Sequence, residues 1–176
     1  DIAVGVIGGT TELDSVTVNS ANTLTLSTVD TVDNGVDLTA TTINLNGSLS
    51  TVNGTNGGAI ALTGAVTTGG AISFVSDIGI AGAFSLTGSI DATAGTLTMD
   101  VGSGNDVILN NASNDFGTIL VTSGNNVNLR DANGIILGAS TISGNLTVQA
   151  DAGTITDIGV VSVGGITTLT VVGANT

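Results

Sequence analysis

The chain contains no Cys, no His, no Pro, no Trp and no Tyr, and its 176 residues include one cation, Arg130. Each absence removes a class of chemistry. Without Cys or His there is no zinc finger, iron–sulfur cluster, haem ligation or thiol catalysis, since each needs thiolate or imidazole. A Ser–His–Asp triad lacks its base. Without Lys there is no Schiff base and no Walker-type phosphate lysine. Nucleic acid is excluded as a partner, because one Arg cannot neutralise a phosphate backbone. Fourteen acidic residues against that one cation give a formal charge of −13.

Long apolar runs are missing too. Mean hydropathy is +0.54, yet Thr, Ser, Asn, Asp or Gly interrupts every stretch within a few positions, so no segment reads as a spanning helix. A membrane β-barrel would carry aromatic girdles at both interfaces, and the aromatics here are three Phe. The chain begins at Asp1 with no signal-peptide pattern, which reads as an excised or processed piece. A Cys-free composition fits an extracellular bacterial protein.

Helix formers are scarce as well: Glu, Lys, Arg and Gln amount to Glu12, Arg130 and Gln149. What fills the sequence is a short alternating stretch followed by a turn cluster. Ser15 to Asn19, Thr23 to Ser27, Thr42 to Asn46, Ala59 to Thr63, Ala71 to Val75, Ala83 to Thr87 and Thr96 to Val101 alternate apolar with polar. So do Thr118 to Thr122, Val127 to Arg130, Leu146 to Gln149 and Thr167 to Val172. Alternation of this kind marks strands buried on one face. Asn-Gly, Gly-Gly and Asp-Ala-Gly punctuate them as turns.

The spacing goes further. GGAIALTG from Gly57, GGAISFVS from Gly69 and AGAFSLTG from Ala81 recur every 12 residues, and Gly104, Gly124, Gly144 and Gly164 recur every 20. Units this small hold no core alone and must stack. The expected fold is all-β, a parallel β-helix in one domain over 1–176. Its parts are less regular coils over 1–40, short-period strands over 41–101 and coils of about 20 residues over 102–176. At ~4.8 Å per stacked strand this predicts roughly nine coils and about 40 Å of length. The change from 12 to 20 implies uneven coils or an inserted strand. A narrow coil suits Val, Ile, Leu, Thr and Ala and accommodates aromatics poorly, while Pro would delete a ladder donor.

From Asn111 to Val171 the wording resembles the repeats of large secreted bacterial β-strand-repeat proteins, of the filamentous haemagglutinin-like adhesin kind. The elements that carry the resemblance are Asn114-Asp115-Phe116-Gly117, Arg130-Asp131-Ala132-Asn133, Ser143 to Val148, Gly153 to Ile155 and Gly164 to Leu169. Residues 41–110 are similar in style. The resemblance implies a right-handed parallel β-helix at the bacterial cell surface, serving as a shaft. Glycans of host or neighbouring cells would then be met by other parts of the parent protein.

Candidate sites are few. Gly102 to Leu109 resembles one calcium-binding nonapeptide of Gly- and Asp-rich toxin repeats, with Asp106 as ligand. The later copies put Asn126 and Leu146 at that place, and a lone half-site lacks a neighbouring turn to complete the shell. A structural corner is the weightier reading. Asp30, Asp33 and Asp37 form the densest acidic cluster, without the spacing of an EF-hand; a hydrated turn explains it. Thr23-Leu24-Thr25, Thr96-Leu97-Thr98 and Thr118 with Thr122 raise ice binding, but their spacing is not constant. Arg130 is expected to form a solvated pair with an Asp. No catalytic, cofactor or metal residue is assigned.

The expected function is a structural shaft segment of a secreted adhesin or extracellular filament, without catalysis, stacking head to tail because no cap is visible at either end. The alternative is a carbohydrate-binding or carbohydrate-cleaving β-helix. A lyase of acidic glycans usually needs cations, and sugar platforms favour Trp and Tyr, so the composition supplies little for either.

Overall fold

The computed structural model describes residues 1–8, 13–53, 56–76 and 84–173. Ala83 and the start of the third 12-residue copy lie outside them, as does the side chain of Asp33. The chain is a β-solenoid of parallel strands wound in about 7 turns, with no helix. Seven turns at ~4.8 Å span about 34 Å, fewer and shorter than nine coils of 20 residues. The reason is coil length. In-register partners are 18 residues apart at Thr118↔Ile136 and 25 apart at Leu49↔Phe74.

Three faces carry the ladders. The first stacks Ile2–Val4, Thr23–Leu26, 42–45, 65–68, 90–92 and 115–116. The second runs from Ile7 through 29–30, Leu49–Ser50, Ile72–Val75, 97–100 and 118–123 to Ile135–Leu137 and Ile155–Asp157. The third stacks 15–18, 36–39, 60–63 and Phe84–Thr87, then separately Val107–Leu109, Val127–Asp131, Leu146–Ala150 and Thr167–Val171. The eight passages over the third face number the coils 1 to 8.

The repeats now acquire a geometry. Ile60 of the first 12-residue copy pairs with Phe84 of the third, 24 residues on, while Ile72 of the second copy pairs with Leu97 on another face. Two short repeats therefore make one coil. An insertion is present as well: Val52–Asn53 and Asn56–Gly57 form a small antiparallel hairpin at the corner of coil 3. Its base is closed by Gly58 N–H donating to Thr51 O at 3.1 Å and Thr51 Oγ1 donating to Gly58 O at 2.5 Å.

Alternation decides which side chain goes inside. Leu24, Leu26, Ile43, Leu45, Leu62, Leu97 and Val148 are all buried, each lying one coil from an apolar counterpart. Such burial is worth roughly 1.5–3 kcal/mol per large aliphatic side chain. All three Phe lie inside too, contrary to the expectation that the coil is too narrow. Phe74, Phe84 and Phe116 are buried, and the first two rings sit 5.0 Å apart. They fit because these are the longer coils. At the corner between second and third faces the interior column is Thr31, Thr51, Ser76, all fully buried, and then Val101. Tight corners elsewhere need glycine. A Cβ on Gly64 (φ +137°) would lie 1.9 Å from Ala40 O, and one on Gly88 (φ +141°) 2.0 Å from Gly64 O.

Between coils 5 and 7 the cross-section changes. The first-face strand gives way to a turn at 132–134, and a fourth face appears as Ser140–Ile142 pairs with Val161–Val163. Three buried polar side chains manage the transition. Asn114 accepts from Ile90 N–H at 3.0 Å and donates to Leu109 O at 2.9 Å. Asp131 accepts from Phe116 N–H and Asn133 N–H, both at 2.7 Å. Ser140 Oγ accepts from Val121 N–H and donates to Gly138 O, both at 3.0 Å. Each replaces a main-chain partner that the departing ladder withdraws, and a buried N–H left without one costs about 1–3 kcal/mol.

Candidate functional site

The strongest sequence candidate, Asp106, stands at the corner that opens the third face. Its Oδ1 accepts from Asn126 N–H at 3.0 Å, Asn126 Nδ2 at 3.1 Å and Asn125 Nδ2 at 3.0 Å. One coil on, Asn126 Oδ1 accepts from Asn145 N–H at 3.1 Å, and Asn145 Oδ1 accepts from Ile166 N–H at 2.8 Å. The result is a side-chain ladder running parallel to the main-chain one, in which Val107 N–H donates to Asn126 O and Val127 N–H to Asn145 O. Read from spacing alone, Asn126 is a lost calcium ligand. In the fold it is the next step of a corner, because an amide oxygen accepts as a carboxylate oxygen does. The Gly-Asn wording at 20-residue intervals was the signal for it.

The acidic cluster is not gathered. Asp30 pairs across to Ser50 on the second face, whereas Asp37 lies on the third, between Thr17 and Ala61. Among the described residues no group of three or more Asp or Glu is placed to hold a metal ion. Asp91 and Asp115 are in register on neighbouring coils, engaged by Thr93 and Asn133 respectively.

Arg130 pairs with Asp151 on the next coil, Nη2 to Oδ2 at 2.9 Å and Nε to both oxygens at 3.1 Å, with Gln149 Nε2 on Oδ1 at 2.7 Å. These hydrogen bonds hold the Asp151 carboxyl below the usual carboxylate range. The pair is partly exposed, and such pairs contribute little. Asp131 behaves in the opposite way. Burial pushes its carboxyl upward, the two backbone N–H groups offset part of that, and the Asp115 and Asp151 charges add to the rise. A carboxyl with a raised pKa is what a general acid needs, but Asp131 is fully buried with both oxygens committed to backbone. Its place is structural.

The Thr steps face outward as ordinary strand positions. One aligned column escapes the spacing argument: Thr39, Thr63 and Thr87 are in register on three successive coils of the third face. It extends over those three coils because the third-face ladder stops at Thr87.

Both terminal coils present apolar side chains. The first exposes Ile2, Val4, Val6 and Leu13, and the last Ile158, Val160, Ile166, Leu169 and Val172. In the last coil a hollow of about 330 Å³ opens between Leu137, Leu146, Ile155, Val161, Val163 and Leu169. It is the solenoid interior seen end-on. No helix among the described residues is long and apolar enough to cross a membrane.

A family model described as repeats of unknown function (DUF5649) matches residues 124–176, which span the last part of coil 6 with coils 7 and 8. No curated protein and no solved structure matches the chain. The chain is a repeat protein with a β-solenoid fold, and its C-terminal coils are similar to that repeat family.

Proposed function

We propose that this chain is a shaft segment of a secreted bacterial surface adhesin or extracellular filament, extended end to end by further coils and carrying no catalysis. The observation that carries the reading is the open cross-section at both terminal coils. Strand edges and apolar side chains there are those that an interior coil buries against its neighbour. The second and third faces occur in both terminal coils and supply the ladders for head-to-tail stacking, which generates open filaments. Lateral association is disfavoured by the charge of −13. Coil-like repeats in the matched family support a role in which length is the product. Catalysis has no provision: the acidic residues are spread over turns and faces, and no base other than a carboxylate exists in the sequence.

Sedimentation velocity across a concentration series, with electron microscopy of the same samples, tests this. Linear particles that lengthen with concentration are expected. Leu169→Lys puts a charge in the end-on hollow and should shorten them. A wild-type chain that stays strictly monomeric at every concentration overturns end-to-end stacking.

A further inference from the structure

We infer that the junction between coils 4 and 5 is a bending joint, at which the shaft hinges on its second face and opens on its third. The inference rests on the fold alone and goes beyond the shaft reading. Coils 3 and 4 are tied by four residue pairs on the first face, two on the second and four on the third. Coils 5 and 6 have three pairs on the third face and run together on both others. Coils 4 and 5 differ. Among the described residues they share two pairs on the first face, Ile90↔Val66 and Asp91↔Thr67, and four on the second, Ile72–Val75 with 97–100. On the third face Phe84–Thr87 pairs only backward and Val107–Leu109 only forward, so no ladder joins them.

The side chains register the same opening. Leu62 of coil 3 is buried, whereas Leu86, its in-register partner in coil 4, is half-buried. Ile108 opposite is 53% exposed. Two clefts, of about 440 and 270 Å³, occupy the gap, and Leu86, Ile108 and Asn110 border both. Strand edges that face each other without hydrogen bonds resist separation only through side-chain contact. The four-pair ladder on the second face is the axis about which they part. Every other stretch of the third face is braced, so bending concentrates at this one level. A shaft made this way is stiff on either side of the joint and compliant at it.

The chain has no Cys, so paired spin labels can be placed on outward positions without background. Thr63→Cys with Thr87→Cys reports an in-register control and Thr87→Cys with Asn110→Cys reports the joint. Dipolar broadening in frozen solution should give a narrow distribution for the control and a longer, broader one across the joint. Hydrogen exchange on the unmodified chain gives a second reading that does not depend on labelled variants. Amides in 84–87 and 107–109 should exchange at least about tenfold faster than those in 60–63 and 127–131. Equal protection in those segments, or a joint pair as close and narrow as the control, overturns the inference. Neither reading depends on whether the chain forms filaments, so failure of the shaft proposal leaves this one standing, and the reverse.

Discussion

Asp131→Asn separates the two demands on that buried carboxylate. In the native chain one oxygen accepts from Phe116 N–H and the other from Asn133 N–H, both at 2.7 Å. An amide has one oxygen, so the variant keeps one bond and turns an NH₂ group toward the remaining N–H. Leaving that buried donor unsatisfied costs about 1–3 kcal/mol, and the relief of burying no charge offsets part. A net loss of about 1–2 kcal/mol at pH 7 is expected, which for a chain of this size lowers Tm by about 2–8 °C. Acid should narrow the difference in a defined direction. Burial raises the folded-state pKa of Asp131 above the ordinary 3.8, so the native chain holds that proton more tightly than the unfolded one. The stability this contributes is fully present below 3.8, is lost as pH rises through the raised value, and is absent from the variant. Thermal melts at pH 7 locate the global effect, and exchange of the Phe116 amide locates the local one. A variant that melts at or above wild type at pH 7, with Phe116 protection unchanged, would refute the view that this carboxylate stands in for a strand.

Three further expectations follow from the corners and the lone cation. Asp106→Asn keeps an acceptor for Asn126 N–H and should melt within about 0.5 kcal/mol of wild type, whereas Asp106→Ala should lose about 1–2 kcal/mol. Added calcium should shift neither melt, and a rise with calcium in wild type alone would revive the metal reading. Thr31→Val removes a buried hydroxyl with no hydrogen-bond partner among the described residues, at a corner where coil 5 already carries Val101. It should stabilise by about 0.5–1 kcal/mol in chemical denaturation, and a loss would show that the hydroxyl is satisfied in solution. Trypsin has Arg130 as its one site, inside a strand laddered to Leu146–Ala150. The native chain should remain intact on a gel for hours, and the denatured chain should yield fragments 1–130 and 131–176.

Strand identity and stacking are legible in the sequence because alternation is a local property. Thr23-Leu24-Thr25-Leu26 can bury one side only, and its burial follows suit. Which strand lies above which is a property of coil length, and coil length varies where corners lengthen. The turn 110–114 and the hairpin at 52–57 each alter the count without disturbing the alternation beside them. Hence nine coils of constant length become about 7 uneven ones. The Asx corner was half legible: Gly104, Gly124 and Gly144 mark it, but Asp106 and Asn126 look like a ligand and its loss until hydrogen bonds make them equivalent. Asn114, Asp131 and Ser140 carry no local signal at all. Their neighbours in sequence are turn residues, and the N–H groups they satisfy lie 24, 15 and 19 positions away.

The pairing of Ile60 with Phe84, two copies apart, restricts how such a gene can grow. Duplicating one dozen-residue copy would rotate everything downstream by half a circuit, setting second-face strands over third-face ones and misaligning each corner glycine. Duplicating two copies adds a whole storey and leaves the rest of the building undisturbed. Viable length variants of this region should therefore differ by even numbers of copies.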